Sequence, residues 1–409
     1  MSSKFLRRDI TISFRRFIAL ALLLSNTIIW FYVFHEYLLD ALLKNSGLNF
    51  FYVGLGKMFF YSSAVFSGII GSLITERVER RRFLGFWIAF GFLTMISLTI
   101  FRGLEFSLVS SIMLGVSFGL GLPTCQAFLA ESTTFEESGR VAAVLIFEAL
   151  ALLVLILLFA KELGIMGLTL ICVVLVGTSF LALFFDRCPR ERGPIKPWRS
   201  VLTSRAFASY AVPWLIFQLA NGISLFVRIP DPLKSLATYG QALQFIAALF
   251  AALISGFLAD YIGRKQPILI GLIMLGASYA FFGLTLTTIS YLVYLTVEGF
   301  AWGLIVVSYM QVVLGDLSSG SGSKERFYAL GGILIPLFTY AIFSVAQDWS
   351  KFTIPANQLS TVLSIAILAS VIPVIRAPET LSEAKVRTRK MKEHVEKVGK
   401  LVEESRKAS

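Results

Sequence analysis

The chain has two histidines and three cysteines in 409 residues. His35 and His394 are too few for a histidine-based metal centre. Cys125, Cys172 and Cys188 lie in or beside apolar segments without metal-ligand spacing, and they imply no disulfide framework. No P-loop, GxSxG or HExxH pattern is present. No soluble catalytic segment stands apart from the apolar runs. These absences argue against an enzyme and against a resident cofactor or metal, and ATP-driven transport would need a separate nucleotide-binding chain. Charge is scarce too, with Asp, Glu, Lys and Arg at 15% against 56% hydrophobic residues. The mean hydropathy is +0.77. A soluble domain of this size needs a far more polar surface.

What fills the chain is a series of apolar runs of 18 residues or more, each long enough to cross a ~30 Å hydrocarbon layer as a helix. The runs are continuous rather than short and alternating, which excludes a barrel of strands. The fold class expected is an all-α, multi-pass membrane protein. The N-terminus is basic (Lys4, Arg7, Arg8, Arg15, Arg16). The run that follows, from Phe17 to Phe34, is too long for a signal h-region and has no small-residue cleavage site, so it is read as the first span. Twelve spans are expected, at 17–42, 50–75, 83–101, 105–130, 140–160, 164–185, 205–227, 237–260, 266–288, 290–316, 325–346 and 356–375. Residues 186–204 form a polar, proline-bearing, basic linker. The organisation expected is an N-terminal six-helix bundle over 1–185, that linker, a C-terminal six-helix bundle over 205–376, and a cytoplasmic helical tail over 377–409.

Charge placement sets the orientation. Every second loop, counted from the N-terminus, lies on one side, and that side holds 30 of the 37 Lys and Arg. The opposite side holds Lys44, Arg102, Lys161, Arg228, Lys234 and Lys351, and Lys57 falls inside a span. Basic loops stay cytoplasmic, so both termini are expected inside, in a cell membrane. The net charge of +12 is this topology signal rather than a nucleic-acid footprint. In the tail, Val395, Val398 and Val402 recur at helical spacing. Arg387, Arg389, Lys390 and Lys392 there would attract anionic lipid headgroups.

The loop GFLADYIGRK, Gly256 to Lys265, has a counterpart in SLITERVERR, Ser72 to Arg81, 184 residues earlier. Asp260 then aligns with Glu76, Arg264 with Arg80 and Lys265 with Arg81. A repeat of this length points to duplicated six-helix units. GFLADYIGRK resembles the loop signature of the major facilitator superfamily, small-x-x-x-acid-x-x-Gly-Arg-Lys. The first copy departs from it, with Ser72 for Gly and Glu79 for the later Gly. The small residue at 256 or 72 lets two helices approach closely. Each half also carries a second acid and base. Gln126 precedes Glu131 by five residues and Arg140 follows; Gln311 precedes Asp316 by five and Arg326 follows. The resemblance implies a cytoplasmic gate in which such charges latch the halves together. One cluster is expected from Glu131, Arg140 and Arg80, the other from Asp316, Arg326 and Arg264, with Glu76, Asp260, Arg81 and Lys265 in the same turns.

Few ionisable residues lie at membrane depth, where they are costly and usually functional. Glu148 sits eight residues into the fifth span, ~12 Å from its start at ~1.5 Å per residue. Glu36 and Lys57 are level in the first hairpin, so a buried Glu36–Lys57 ion pair is expected, with Glu298 competing for Lys57. Proton coupling is expected through Glu148 or Glu36. In the seventh span, Gln218 and Asn221 share a face, and FQLANGIS resembles the sugar porter branch, whose pattern is Gln-Gln-x-x-Gly-x-Asn. Gln218 and Gly222 match it, while Leu219 and Ser224 replace the second Gln and the Asn. In that branch a Gln follows the fifth-span Arg by eight residues, a place Glu148 holds here. GLGLPTCQAFLAE, Gly119 to Glu131, and Pro378-Glu379-Thr380 resemble the same branch. Two departures keep the substrate open. Ser110 and Ser111 stand where span four usually has an Arg, and Gln311 stands where span ten has a Trp. The fifth span has no Gly or Pro and so lacks the Gly-Pro kink of drug/proton antiporters.

The function expected is secondary active transport of a small polar or organic solute, sugar- or organic-acid-like, by alternating access in a monomer. Asn26, Glu148, Gln218, Asn221 and Gln311 would bind the solute between the halves. The alternatives are a multidrug exporter and a non-transporting sensor on the same scaffold.

Overall fold

The computed structural model describes residues 11–45, 50–100, 104–190, 193–224, 227–228, 237–346 and 354–381. The tail expected to be helical over 381–409, with its basic cluster, lies outside the described residues apart from Leu381. Twelve helices are long and apolar enough to span a membrane. They are α1 Phe14–Lys44, α2 Phe51–Thr75, α3 Arg80–Ile100, α4 Glu105–Ser132, α5 Ser138–Leu158 and α6 Glu162–Phe185, then α7 Arg205–Ser224, α8 Gly240–Tyr261, α9 Lys265–Thr285, α10 Thr288–Leu317, α11 Lys324–Val345 and α12 Ala356–Arg376. Each coincides with an expected span to within a few residues. The strand content among the described residues is a two-residue parallel pair, Val227–Arg228 with Ile354–Pro355.

The helices are less regular than their apolar runs suggest. Pro123, Pro213 and Pro373 lie inside α4, α7 and α12. Wider π turns interrupt α1 at Ala21–Ser25 and Phe34–Leu38, α10 at Val306–Val313 and α11 at Ala329–Leu334. A π turn rotates everything beyond it relative to a straight helix and often marks a functional position.

Buried apolar side chains fall into two clusters. One is drawn mainly from residues 19–188, the other mainly from 201–377. Between them α5 packs on α8 and α2 on α11. The closest crossing is glycine on glycine. A Cβ on Gly256 would stand 2.4 Å from both Gly139 O and the Ala143 Cβ, and one on Gly139 would stand 2.7 Å from Gly256 O. This is the close approach expected of the small residue at position 256. The loop after α2, the start of α5, the linker after α6, the α8–α9 turn and the α10–α11 loop all gather at one end of the bundle, here termed the charged end.

Candidate functional site

At the charged end the charges form one buried network that crosses between the first six helices and the last six. Arg80, at the start of α3, grips Glu131 of α4 with two bonds of 2.7 and 3.1 Å and reaches Glu325 of α11 at 2.9 Å. Arg326 grips Glu76 with bonds of 2.5 and 2.8 Å. Asp260 of α8 accepts from the backbone of Gly139 and Arg140, each at 2.9 Å, and from Arg140 Nε at 3.2 Å. It also pairs with Arg264 at 2.5 Å. Arg264 continues to Asp316 at 3.1 Å and donates to Phe135 O at 2.6 Å and Ser138 Oγ at 2.9 Å on the other half. None of these nine ionised side chains is more than 9% exposed.

The expected clusters are therefore half right and half exchanged. Arg80–Glu131 and Arg264–Asp316 pair within their own halves. Arg140 and Arg326, assigned to those clusters, instead cross to Asp260 and Glu76. The reason is the α5–α8 and α2–α11 packing, which brings each base closer to the opposite acidic turn than to the acid of its own half. Arg81 and Lys265 stay out of the network. They are exposed and bond the carbonyls of Leu183 and Ile375 at 3.0 and 2.8 Å. Burial also changes the energetics. Exposed ion pairs are worth ~0–1 kcal/mol, whereas removing one partner of a buried pair costs about 3–5 kcal/mol. Burial works against the charge on Arg264, but Asp316 and Asp260 outweigh it and hold the guanidinium pKa above its ordinary value.

Three other segments join this network without having been singled out for it. Arg190 of the linker reaches Thr75 O, Gly322 O and, at 3.4 Å, Glu325. Pro189 O and Lys196 O accept from Arg80 and Arg326 at 2.8 and 2.7 Å. After α12, Glu379 accepts from the backbone of Arg264 and Lys265 at 2.9 and 3.3 Å, and Thr380 donates to Asp316 at 2.9 Å. The Pro-Glu-Thr run thus closes the α8–α9 turn, where Gly263 supplies the positive φ of 139°. At the other terminus, Thr11 donates to Glu137 through both its backbone N–H and its hydroxyl. A cavity of about 770 Å³ opens among these elements, lined from both halves by residues that include Glu131, Glu136, Arg190, Gln311, Asp316 and Lys324.

Gly256→Leu should hold the charged end apart. Overpacking costs about 1–3 kcal/mol, a shift of about ten- to a hundredfold toward the open form. A cysteine placed at Val312, now 2% exposed, should then react at least about tenfold faster with a water-soluble maleimide. An unchanged rate would mean that the crossing does not control closure.

Deeper in the bundle the expected solute residues part company. Asn26 is committed within the first half, donating to Leu175 O at 3.0 Å and Thr178 Oγ1 at 3.1 Å on α6. Glu148 is half-buried on the stripe of α5 that carries the exposed Val144, Leu152 and Leu155. No described polar group bonds it. Gln218 is 2% exposed with Nε2 unpaired, and Gln311 is 4% exposed with Oε1 unpaired. Gln126 is fully buried with both amide atoms unpaired, against Gly332 of α11. It was quoted in the sequence as a spacer before Glu131; the matched five-residue interval in both halves was the signal that it pairs in role with Gln311. Around these amides stand Trp214, Phe217, Trp302 and Tyr309, with ring separations from 4.7 to 6.0 Å. Asn221 donates to Glu298 at 2.9 Å and accepts from Trp302 Nε1 at 3.2 Å, the amide orientation that satisfies both neighbours.

The Glu36–Lys57 pair expected from helix register is replaced by another. Lys57 Nζ lies 2.5 Å from Asp40 Oδ1, and Glu298 takes no part. The π turn at Phe34–Leu38 is the cause, because it rotates Asp40 to the place a straight helix would give Glu36. The same turn leaves His35 Nε2 4.0 Å from Glu36 and its Nδ1 2.6 Å from the Tyr61 hydroxyl. Glu36 is exposed and hydrogen-bonded by Gln241 of α8. Tyr340 of α11 stacks on Tyr61 at 5.6 Å, and Phe245 of α8 meets Tyr32 edge-on at 5.1 Å. The two halves therefore touch at the far end too, through aromatic rings rather than ion pairs.

Two sets of six helices, joined at one end by exchanged charges and at the other by aromatic rings, have the fold of the major facilitator superfamily. Solved structures with this fold include the proton:xylose symporter XylE of that superfamily, bound to 6-bromo-6-deoxy-D-glucose. It is 15% identical with a TM-score of 0.66, over 90% of this chain and 96% of that one. The human organic anion transporter MFSD10 (TETRAN) is also 15% identical, with a TM-score of 0.61 over 88% of this chain and 99% of that one. No protein-family model and no curated protein sequence matches the chain.

Proposed function

We propose that this chain is a secondary transporter of a small polar solute in which two six-helix bundles, residues 1–185 and 205–376, rock against each other. The observation that carries this reading is the exchanged network at the charged end. Each half holds the other by a buried base–acid contact, Arg140–Asp260 one way and Arg326–Glu76 the other. A static scaffold could bury apolar residues there at lower cost. Charges that must be solvated in one state and paired in the other need to remain charges. The basic loops assign the charged end to the cytoplasm of a cell membrane, so the network is a cytoplasmic gate.

The chemistry around the centre supports a neutral, hydrogen-bonding solute of the sugar or polyol kind. Amides at Gln126, Gln218 and Gln311 offer both donors and acceptors, and aromatic faces at Trp214, Trp302 and Tyr309 suit the apolar face of such a ring. An organic acid would need a base. Among the described residues the base inside the spans, Lys57, is committed to Asp40. XylE, as a proton:xylose symporter, is of the same kind. The purified monomer should be placed in liposomes and tested by counterflow with labelled sugars, polyols, organic acids and lipophilic cations. Exchange of a sugar or polyol is the expected result. Exchange of lipophilic cations alone would establish the efflux reading, and exchange of organic acids alone would overturn the neutral-solute one.

A further inference from the structure

Glu298 has no role in the gate or in the neutral-solute site, yet it is the acid most fully enclosed by the helices. It lies on α10, 6% exposed. Its partners are neutral: Asn221 of α7 at 2.9 Å and the Tyr294 hydroxyl one turn away. The titratable groups that face it are phenols. Tyr279 of α9 stands 3.3 Å from Tyr294, hydroxyl to hydroxyl. Tyr291 is on α10 itself, and Tyr340 of α11 lies within electrostatic reach of both Glu298 and Glu36 of α1. No Lys, Arg or His pairs with Glu298 among the described residues. Lys57 is taken by Asp40, and His35 is bonded to Tyr61.

A glutamine would make the same neutral contacts without the cost of a buried charge. What an acid adds is the ability to take a proton. We propose that Glu298 is a proton-binding site in the second six-helix unit, and that Asn221 is a positioning residue that passes its state to Trp302. When Glu298 is ionised, the Asn221 amide donates to it and its carbonyl accepts the indole N–H. When a proton from water bonds to a carboxylate oxygen, the new O–H turns toward Asn221. The amide must then present its carbonyl to Glu298, which leaves its NH2 facing the indole N–H. Two donors repel, and Trp302 loses its acceptor. The Trp302 ring lies 4.7 Å from Phe217, the neighbour of Gln218, so the proton is felt at the solute amides. The proton leaves by the reverse step and nothing else is transferred. The use of this site in coupling rests on the transporter reading; the protonation itself does not.

The test therefore needs no solute. Purified protein is titrated with acid and base while tryptophan emission and the carboxyl infrared band are recorded. Wild type should show one reversible emission change together with a titrating carboxyl band. Trp302→Phe should lose the emission change and keep the band. Asn221→Leu should do the same, and Glu298→Gln should lose both. An emission change or a titrating band that survives unaltered in Glu298→Gln overturns the proposal, as does the absence of both from wild type. Counterflow on the same variants reports separately on transport. Loss of acid-driven accumulation with solute exchange retained in Glu298→Gln supports coupling through this site, and acid-driven accumulation that survives in that variant overturns it.

Discussion

Asp260→Ala should open the charged end and stop the transport cycle. The carboxylate accepts four bonds, two from the backbone of Gly139 and Arg140 and two from guanidinium groups. It is the point where α5 of one half is tied to α8 of the other. Its removal leaves Arg140 and Arg264 buried without their shared acid, at about 3–5 kcal/mol. That corresponds to a shift of about a hundred- to several-thousandfold in the equilibrium between closed and open. Spin labels at Glu79 and Ile262, both exposed, measure the separation of the halves. The variant should show a longer and broader distance distribution, and its solute exchange should fall at least about a hundredfold. Asp260→Asn keeps an acceptor for one backbone N–H and should fall between the two. A distance distribution identical to wild type in Asp260→Ala would show that the α5–α8 glycine crossing closes this end unaided.

Hydropathy and loop charge made the fold legible because they are local quantities. An apolar run of twenty residues spans lipid whatever packs beside it. The 184-residue repeat showed the duplication for the same reason, since Asp260 and Glu76 sit in short turns whose chemistry is complete within ten residues. The gate was legible in its members but not in its pairing. Nothing in the linear order says that Arg326 meets Glu76 rather than Asp316. That choice is made by which helices cross, a property of the assembled pair of halves. Glu325 illustrates the limit. It is adjacent to Arg326 and 1% exposed, yet a glutamate beside an arginine at the start of a helix reads as ordinary surface charge. Arg190 and Lys196 in the linker are the same case.

The centre was read less well because the reading assumed straight helices. Depth along a regular helix puts Glu36 level with Lys57, and the π turn at Phe34–Leu38 breaks that register by inserting an extra residue into the turn. No residue type announces such a turn. Glu148 was placed at the right depth, but depth does not say which way a side chain points. The exposed Val144, Leu152 and Leu155 share its stripe. Glu298 carried the opposite error, being weighed as a partner for a lysine when its neighbours are an amide and phenols.

The pair that crosses from Arg326 to Glu76 allows the exchange itself to be tested by exchanging it back. Glu76→Ala should leave Arg326 with the Lys196 carbonyl at 2.7 Å and the Trp198 ring 5.2 Å from its guanidinium carbon, and should open the charged end by about a hundredfold or more. Arg326→Glu should be worse, since two carboxylates then face each other in a site where both native side chains are 9% exposed. The double variant Glu76→Arg with Arg326→Glu restores one acid and one base across the same gap. It cannot restore the bond to Lys196 O, because a carboxylate has no proton to donate, so recovery should be partial. A double-mutant cycle on the spin-label distances should then give a coupling energy of about 1.5–3 kcal/mol. If each half merely used its own charges to stay folded, the two substitutions would add and the double variant would be the most open of the three. The sign of the cycle therefore separates a contact that holds the halves together from two surfaces that happen to lie close.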